Sequence, residues 1–124
     1  MMDDLVRRVS PMMVLPDIRP VLKQYLALGF EPVDLDDPDC VGLRAGNTYL
    51  ILTSVRLMQR YFQPGTVRPL VGSTVPYIYV TSLAEAVRRL DASAMVVEEV
   101  EGEGVREAVV VQHGQFMILA EKTD

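Results

Sequence analysis

The stretch Ser10-Pro11-Met12-Met13-Val14-Leu15-Pro16-Asp17-Ile18 returns 65 positions later as Val75-Pro76-Tyr77-Ile78-Tyr79-Val80-Thr81-Ser82-Leu83. Proline matches proline, and in each copy an alternating apolar run leads to a side chain suited to cap a helix. Each copy reads as a strand feeding a helix. After Asp17, the residues Ile18, Val21, Leu22, Tyr25 and Leu26 recur at the spacing of one helical stripe. Pro20 is tolerated only in a first turn, and Gly29 supplies the positive φ of a C-terminal cap. After Ser82 the stripe is Leu83, Ala86, Val87 and Leu90, with Ser82 and Glu85 at capping-box spacing.

Three strand-like segments follow each helix, at roughly 31–35, 39–45 and 47–54 in the first half and 95–100, 105–112 and 115–121 in the second. The closing strands also match: Gly46, Tyr49, Leu50, Ile51 and Leu52 correspond to Gly114, Phe116, Met117, Ile118 and Leu119. The repeat is therefore βαβββ, over 9–54 and 75–121, in one domain spanning 1–124. Residues 55–74, with Pro64-Gly65, Pro69 and Gly72, form a connector with room for a short helical turn over Val55–Phe62. A four-stranded sheet with a helix on one face leaves its other face open. Two such units must bury those faces or enclose something, which predicts a shared cavity.

The bulk properties narrow the function. At 124 residues, 49% hydrophobic and 23% charged, the chain can bury a core without staples. A net charge of −5 argues against nucleic acid and anionic membranes as partners. Cys40 stands alone, so no internal disulfide and no cysteine-based zinc site is expected. The start, Met1-Met2-Asp3-Asp4-Leu5-Val6-Arg7-Arg8, lacks the pattern of a secretory signal, and no run is long enough to span a bilayer. The expected location is cytoplasmic.

Paired βαβββ units, a first strand ending in Asp17, Leu28-Gly29-Phe30 after the first helix, and Gly104-Val105-Arg106-Glu107 before a closing strand together resemble the vicinal oxygen chelate superfamily of glyoxalases, bleomycin-resistance proteins and extradiol dioxygenases. The resemblance covers residues 9–121. One departure is Gln112-His113-Gly114-Gln115, where the family has a longer Asp-Pro-x-Gly-Asn turn. The resemblance implies an α+β glyoxalase/bleomycin-resistance-like fold, and a homodimer with paired or exchanged units.

Enzymes of that superfamily hold a divalent metal with His and Glu ligands, two from each unit. Carrying those positions over lands on Ser10, Ile51, Val75 and Ile118, and a slip of one residue recovers no donor set. Three hydrocarbon side chains and a hydroxyl cannot replace imidazole and carboxylate donors. No metal, no cofactor and no catalytic residue is therefore expected, and the protein reads as a binder rather than a metalloenzyme.

Strand alternation sorts the side chains. Met13, Leu15, Leu50, Leu52, Ile78, Val80, Met117 and Leu119 should face the helices. Ser10, Met12, Val14, Tyr49, Ile51, Thr53, Val75, Tyr77, Tyr79, Phe116 and Ile118 should face the other way. That second face suits a flat organic ligand through Met12, Tyr49, Tyr77, Tyr79 and Phe116, or equally packs a barrel interior or a dimer seam. His113 reads as a solvated turn residue, Cys40 as an inert thiol, and Glu98, Glu99, Glu101 and Glu103 as a hairpin surface. Between Asp39 and Glu85 there is no acid, and Arg44, Arg56, Arg60 and Arg68 give the stretch a charge of +4. Arg56, Arg60, Tyr61 and Phe62 form a candidate lid, whose arginines meet either an anionic ligand group or the acidic surface of a second chain. The expected function is metal-free binding of a small organic molecule, such as an antibiotic. A non-metal lyase or isomerase and a structural protein with a packed cavity are the alternatives.

Overall fold

The computed structural model of the chain describes residues 4–123, with backbone alone for residues 34–36. Met1 to Asp3, part of the stretch read against a secretory signal, lie outside the described residues. Strands and helices follow in the order β1 (Val6–Leu15), α1 (Ile18–Ala27), β2 (Glu31–Asp37), β3 (Cys40–Ala45), β4 (Thr48–Ser54), α2 (Val55–Tyr61), α3 (Pro64–Val67), β5 (Thr74–Val80), α4 (Leu83–Arg89), β6 (Ala94–Gly102), β7 (Val105–Gln112) and β8 (Gln115–Lys122), with a 3-10 turn at Arg68–Leu70 after α3. This is an α+β arrangement in which βαβββ occurs twice. The connector holds two helices and a 3-10 turn, more structure than the single turn its Pro and Gly content suggests.

The chain divides into two compact units, Ser10–Val75 on the one hand, and Pro76 onward with the stretch leading to Val9 on the other. In the first unit the strand order is β2-β3-β4-β1, with β1 parallel to β4 and the remaining neighbours antiparallel. The second unit repeats the pattern as β5-β8-β7-β6, with β5 parallel to β8. Pro32 sits on β2, an edge strand, where a missing amide hydrogen is tolerated.

All eight side chains assigned to the helix side by alternation pack there. Under α1, Met13, Leu15, Leu50 and Leu52 join Ile18, Val41 and Leu43. Under α4, Ile78, Val80, Met117 and Leu119 join Leu83, Ala86, Ala108 and Val110. Each large apolar side chain so buried contributes roughly 1.5–3 kcal/mol, which makes these two layers the main stabilisation of the units. Leu26 is the exception to the α1 stripe. At 3.6 residues per turn it lies about 80° round from Ile18, beyond the covered sector, and it is exposed.

Helix ends are built as the sequence suggests. Asp17 accepts the Arg19 amide at 3.1 Å, and Ser82 Oγ accepts the Glu85 amide at 3.1 Å. The Glu85 carboxylate turns to Arg88 and Arg89, whose guanidiniums hold it down at about 2. Glu121 of β8 accepts the Leu83 amide at 2.7 Å. Helix α1 closes on Gly29, φ 105°, with Phe30 N–H to Tyr25 O at 3.1 Å and Gly29 N–H to Leu26 O at 3.0 Å. Phe30 then meets Tyr25 edge-on at 5.1 Å, the apolar contact that usually accompanies this cap.

Two glycines give a paired test. Gly29→Ala forces a side chain into a positive-φ position and should lower stability by about 1–2 kcal/mol in urea unfolding. Gly65→Ala, in α3 with open space around the added carbon and no positive φ, should raise it by about 0.4–1 kcal/mol.

Candidate ligand-binding site

The face of each sheet turned away from its helix carries the candidate residues. In the first unit Ser10, Met12 and Val14 of β1 are buried, as is Thr53 of β4, and none of them belongs to the helix-side layer. Met12 is directly opposite Ile51 in the parallel β1–β4 pair. Tyr49, 37% exposed, is opposite Arg44, which pairs with Glu31 on β2 at 3.2 Å. Glu31 and then Tyr49 push the Arg44 guanidinium up, so Tyr49 already faces a cation on its own sheet.

The second unit contains a polar arrangement that sequence reasoning missed. Tyr77 is buried on β5, opposite Ile118, and its hydroxyl donates to the carboxylate of Glu107 on β7 diagonally across the intervening strand β8. Glu107 sits two residues from the buried Val109, opposite Val100 of β6 and Ala120 of β8. Burial pushes its carboxyl above the ordinary glutamate value, while the bond from Tyr77 pulls the other way. Alternation held the clue, since Glu107 shares parity with Val105, Val109 and Val111 and therefore shares their face. Tyr79 meets Tyr77 edge-on at 5.1 Å, and its ring is approached by Arg8 at 4.8 Å and Lys122 at 5.7 Å. Phe116, partly buried, is opposite Val111.

The candidate lid divides. Phe62 is buried and packs in the interior, whereas Tyr61 is exposed. Arg56 grips both oxygens of Asp39, at 2.9 and 3.0 Å, and Arg60 reaches Asp39 at 3.4 Å and Asp37 at 3.6 Å. Both arginines thus meet an acidic turn of their own unit. Asp39 is nearly buried, and Arg56, together with Ser54, holds its carboxyl below the ordinary aspartate value. A cavity of 490 Å³ bounded by Asp17, Arg19, Asp39, Ser54 and Arg56 lies beside this knot, with its charges already matched. His113, φ 50°, and Gly114, φ 75°, form the exposed turn between β7 and β8. Positive φ at both positions matches the two-residue turn that suits a hairpin's twist.

No protein-family model matches the sequence, and neither does any curated protein. Solved structures do. A glyoxalase/bleomycin resistance protein/dioxygenase superfamily member from Vibrio splendidus aligns with a TM-score of 0.63 at 18% identity, over 93% of this chain and 98% of that one. Methylmalonyl-CoA epimerase from Mycobacterium tuberculosis aligns with a TM-score of 0.63 at 14% identity, over 100% and 93%. The chain has the vicinal oxygen chelate fold. A hypothetical protein from Bacillus halodurans shares it, with a TM-score of 0.63 at 17% identity over 94% and 95%.

In a vicinal oxygen chelate fold the metal would fall to Ser10, Ile51, Val75 and Ile118. Ser10 and Ile118 are 1% exposed and Val75 4%, so three of the four are packed interior positions. The only donor among them is a neutral hydroxyl, and no group of three or more His, Cys, Asp or Glu side chains fit for a metal occurs among the described residues. The residues do not fit a divalent metal. No helix among the described residues is long and apolar enough to cross a membrane.

Two outcomes follow. Elemental analysis of dialysed protein should find no stoichiometric divalent metal, and a chelator should leave the melting temperature unchanged. Asp39→Asn should destabilise the fold at neutral pH. Because the folded carboxyl sits below its ordinary value of 3.8, the Asp39 contribution is complete above that pH and disappears as pH falls through the depressed value. Wild type and variant should therefore converge on the acid limb of a stability–pH curve.

Proposed function

We propose that the protein binds a small organic molecule on the sheet face carrying Tyr77, Glu107 and Phe116, without a protein-held divalent metal. The observation that supports this most is the Tyr77–Glu107 pair. A carboxyl held in an apolar row is unfavourable unless hydrogen-bonded, and such groups concentrate where a ligand is handled. Tyr77 satisfies one Glu107 oxygen, and the carboxyl retains capacity to fix a ligand's polar group. The apolar neighbours Ile118, Val109 and Phe116 supply the contact area. The family resemblance implies a homodimer, and we extend that assembly, and sequestration of an antibiotic or other hydrophobic ligand, to this chain.

A second reading has one specific observation in its favour. A carboxyl raised by burial and partnered by a tyrosine hydroxyl can take a proton from a bound ligand and return it, the minimum for a metal-free isomerase or lyase. Glu107 with Tyr77 is an acid–base pair that no spacing in the sequence signals.

A thermal-shift screen against hydrophobic heterocycles, followed by calorimetry on the hits, separates these readings. Binding predicts hits whose affinity falls about ten-fold in Glu107→Gln and Tyr77→Leu, the loss of one hydrogen bond to a charged group. Proton transfer predicts, in addition, solvent deuterium incorporation into the ligand that Glu107→Gln abolishes. Hits indifferent to both substitutions, or no hits at all, would return the face to a packing role.

A further inference from the structure

We propose that the first unit carries a separate site for a small zwitterion, a molecule with an ammonium and a carboxylate a few bonds apart, between the start of α1 and the Asp39–Arg56 pair. A cavity of 490 Å³ lies there, bounded by Asp17, Ile18 and Arg19 at the start of α1, and by Asp39, Ser54 and Arg56 from the β2–β3 turn, the end of β4 and α2. That volume falls within the ordinary range of small-molecule sites, roughly 300–1,000 Å³. The lining holds two carboxylates and two guanidiniums, joined as the pairs Asp17–Arg19 and Asp39–Arg56. An ion of one sign gains little from such a lining, because attraction to one member of each pair is offset by repulsion from the other. A molecule carrying both signs gains from both.

The two pairs differ in how firmly they are closed. The Asp39 side chain is only 10% exposed, its carbonyl accepts the Ser54 amide at 2.9 Å, and its oxygens take Arg56 at 2.9 and 3.0 Å and Arg60 at 3.4 Å. That pair stays shut. Asp17 and Arg19 are 47% and 88% exposed, and an ion pair so open to water is weak and readily exchanged. When Arg19 swings onto a ligand carboxylate, Asp17 gives up its two guanidinium donors and keeps the Arg19 amide at 3.1 Å, so the helix cap survives while the carboxylate becomes free for an ammonium. Arg56 reaches Asp39 through Nη2, which leaves Nε and Nη1 as further donors to the same ligand carboxylate. The hydrogen bond to Asp39 raises the Arg56 guanidinium and the charge of Arg19 opposes it, so the two guanidiniums lie within electrostatic reach of one another. A carboxylate between them relieves that repulsion. Pro16 and Pro38 supply rigid apolar contact for the rest of the molecule.

None of these residues lies on the face carrying Tyr77, Glu107 and Phe116, so the two readings fail independently. The test is a ¹H–¹⁵N NMR titration of the full chain with L-leucine, and with 4-methylpentanoate and 3-methylbutylamine, which are leucine without its ammonium and without its carboxylate. Leucine should shift the Ile18, Arg19, Ser54 and Arg56 amides in a saturable way, and each singly charged control should bind about ten-fold more weakly or less. Arg19→Gln and Asp17→Asn should each weaken leucine binding about ten-fold or more, with little change in melting temperature, because the pair is exposed and Asn caps a helix as Asp does. Glu107→Gln should leave the leucine shifts as they are. Non-saturating shifts, a singly charged control that matches leucine, or full affinity in either variant would overturn the zwitterion site while leaving the reading of the Tyr77–Glu107 face intact.

Discussion

Each four-stranded sheet in this protein has one face layered under a single short helix, α1 or α4, and that constraint shapes everything else. One helix buries one face, so the strands must alternate, and the helix-side layers under α1 and α4 take every other residue of the central strands. What remains is a second set of residues, equally regular, that lies outside the layers under α1 and α4. Ser10, Met12, Val14, Val75, Tyr77 and Ile118 are nevertheless buried. The chemistry of the protein is decided by what that second set contains.

It contains three hydrocarbon side chains and the Ser10 hydroxyl where the fold's metalloenzymes place donors, and one carboxyl where hydrocarbon would be expected. Glu107 breaks the apolar row of β7 without being exiled to solvent, because Tyr77 reaches it from β5 with a hydroxyl. An isolated charge on such a face is strongly unfavourable; a hydrogen-bonded carboxyl is tolerable and chemically useful.

Much of the fold was legible. The 65-residue offset between Ser10 and Val75, the caps at Asp17, Ser82 and Gly29, and the parity of the core strands are local signals, and they produced the βαβββ repeat and both helix-side layers. The candidate site residues were less so, for identifiable reasons. Glu107 stands among Val105, Arg106 and Ala108, and single-strand hydropathy treats a glutamate there as solvated; only its parity with Val109 betrays it. In the connector, Phe62 looked like a lid because it follows Arg60 and Tyr61, but Met58, Phe62, Val67 and Leu70 are buried interior residues. Arg56 and Arg60 found Asp39 and Asp37, a pairing between residues about 20 apart in sequence that no spacing rule announces.

The central claim is that Glu107 is a desolvated carboxyl anchored by Tyr77. Its most direct test is ¹³C NMR titration of the glutamate carboxyls, with Glu107→Gln to assign the resonance and the facing groups Tyr79, Glu98 and Lys122 left in place. The account predicts a midpoint above the ordinary value of 4.5, rising further in Tyr77→Phe as the stabilising hydrogen bond is removed. A Glu107 midpoint at or below 4.5 that does not move in Tyr77→Phe would mean that the carboxyl is neither desolvated nor held by Tyr77, and would contradict the account.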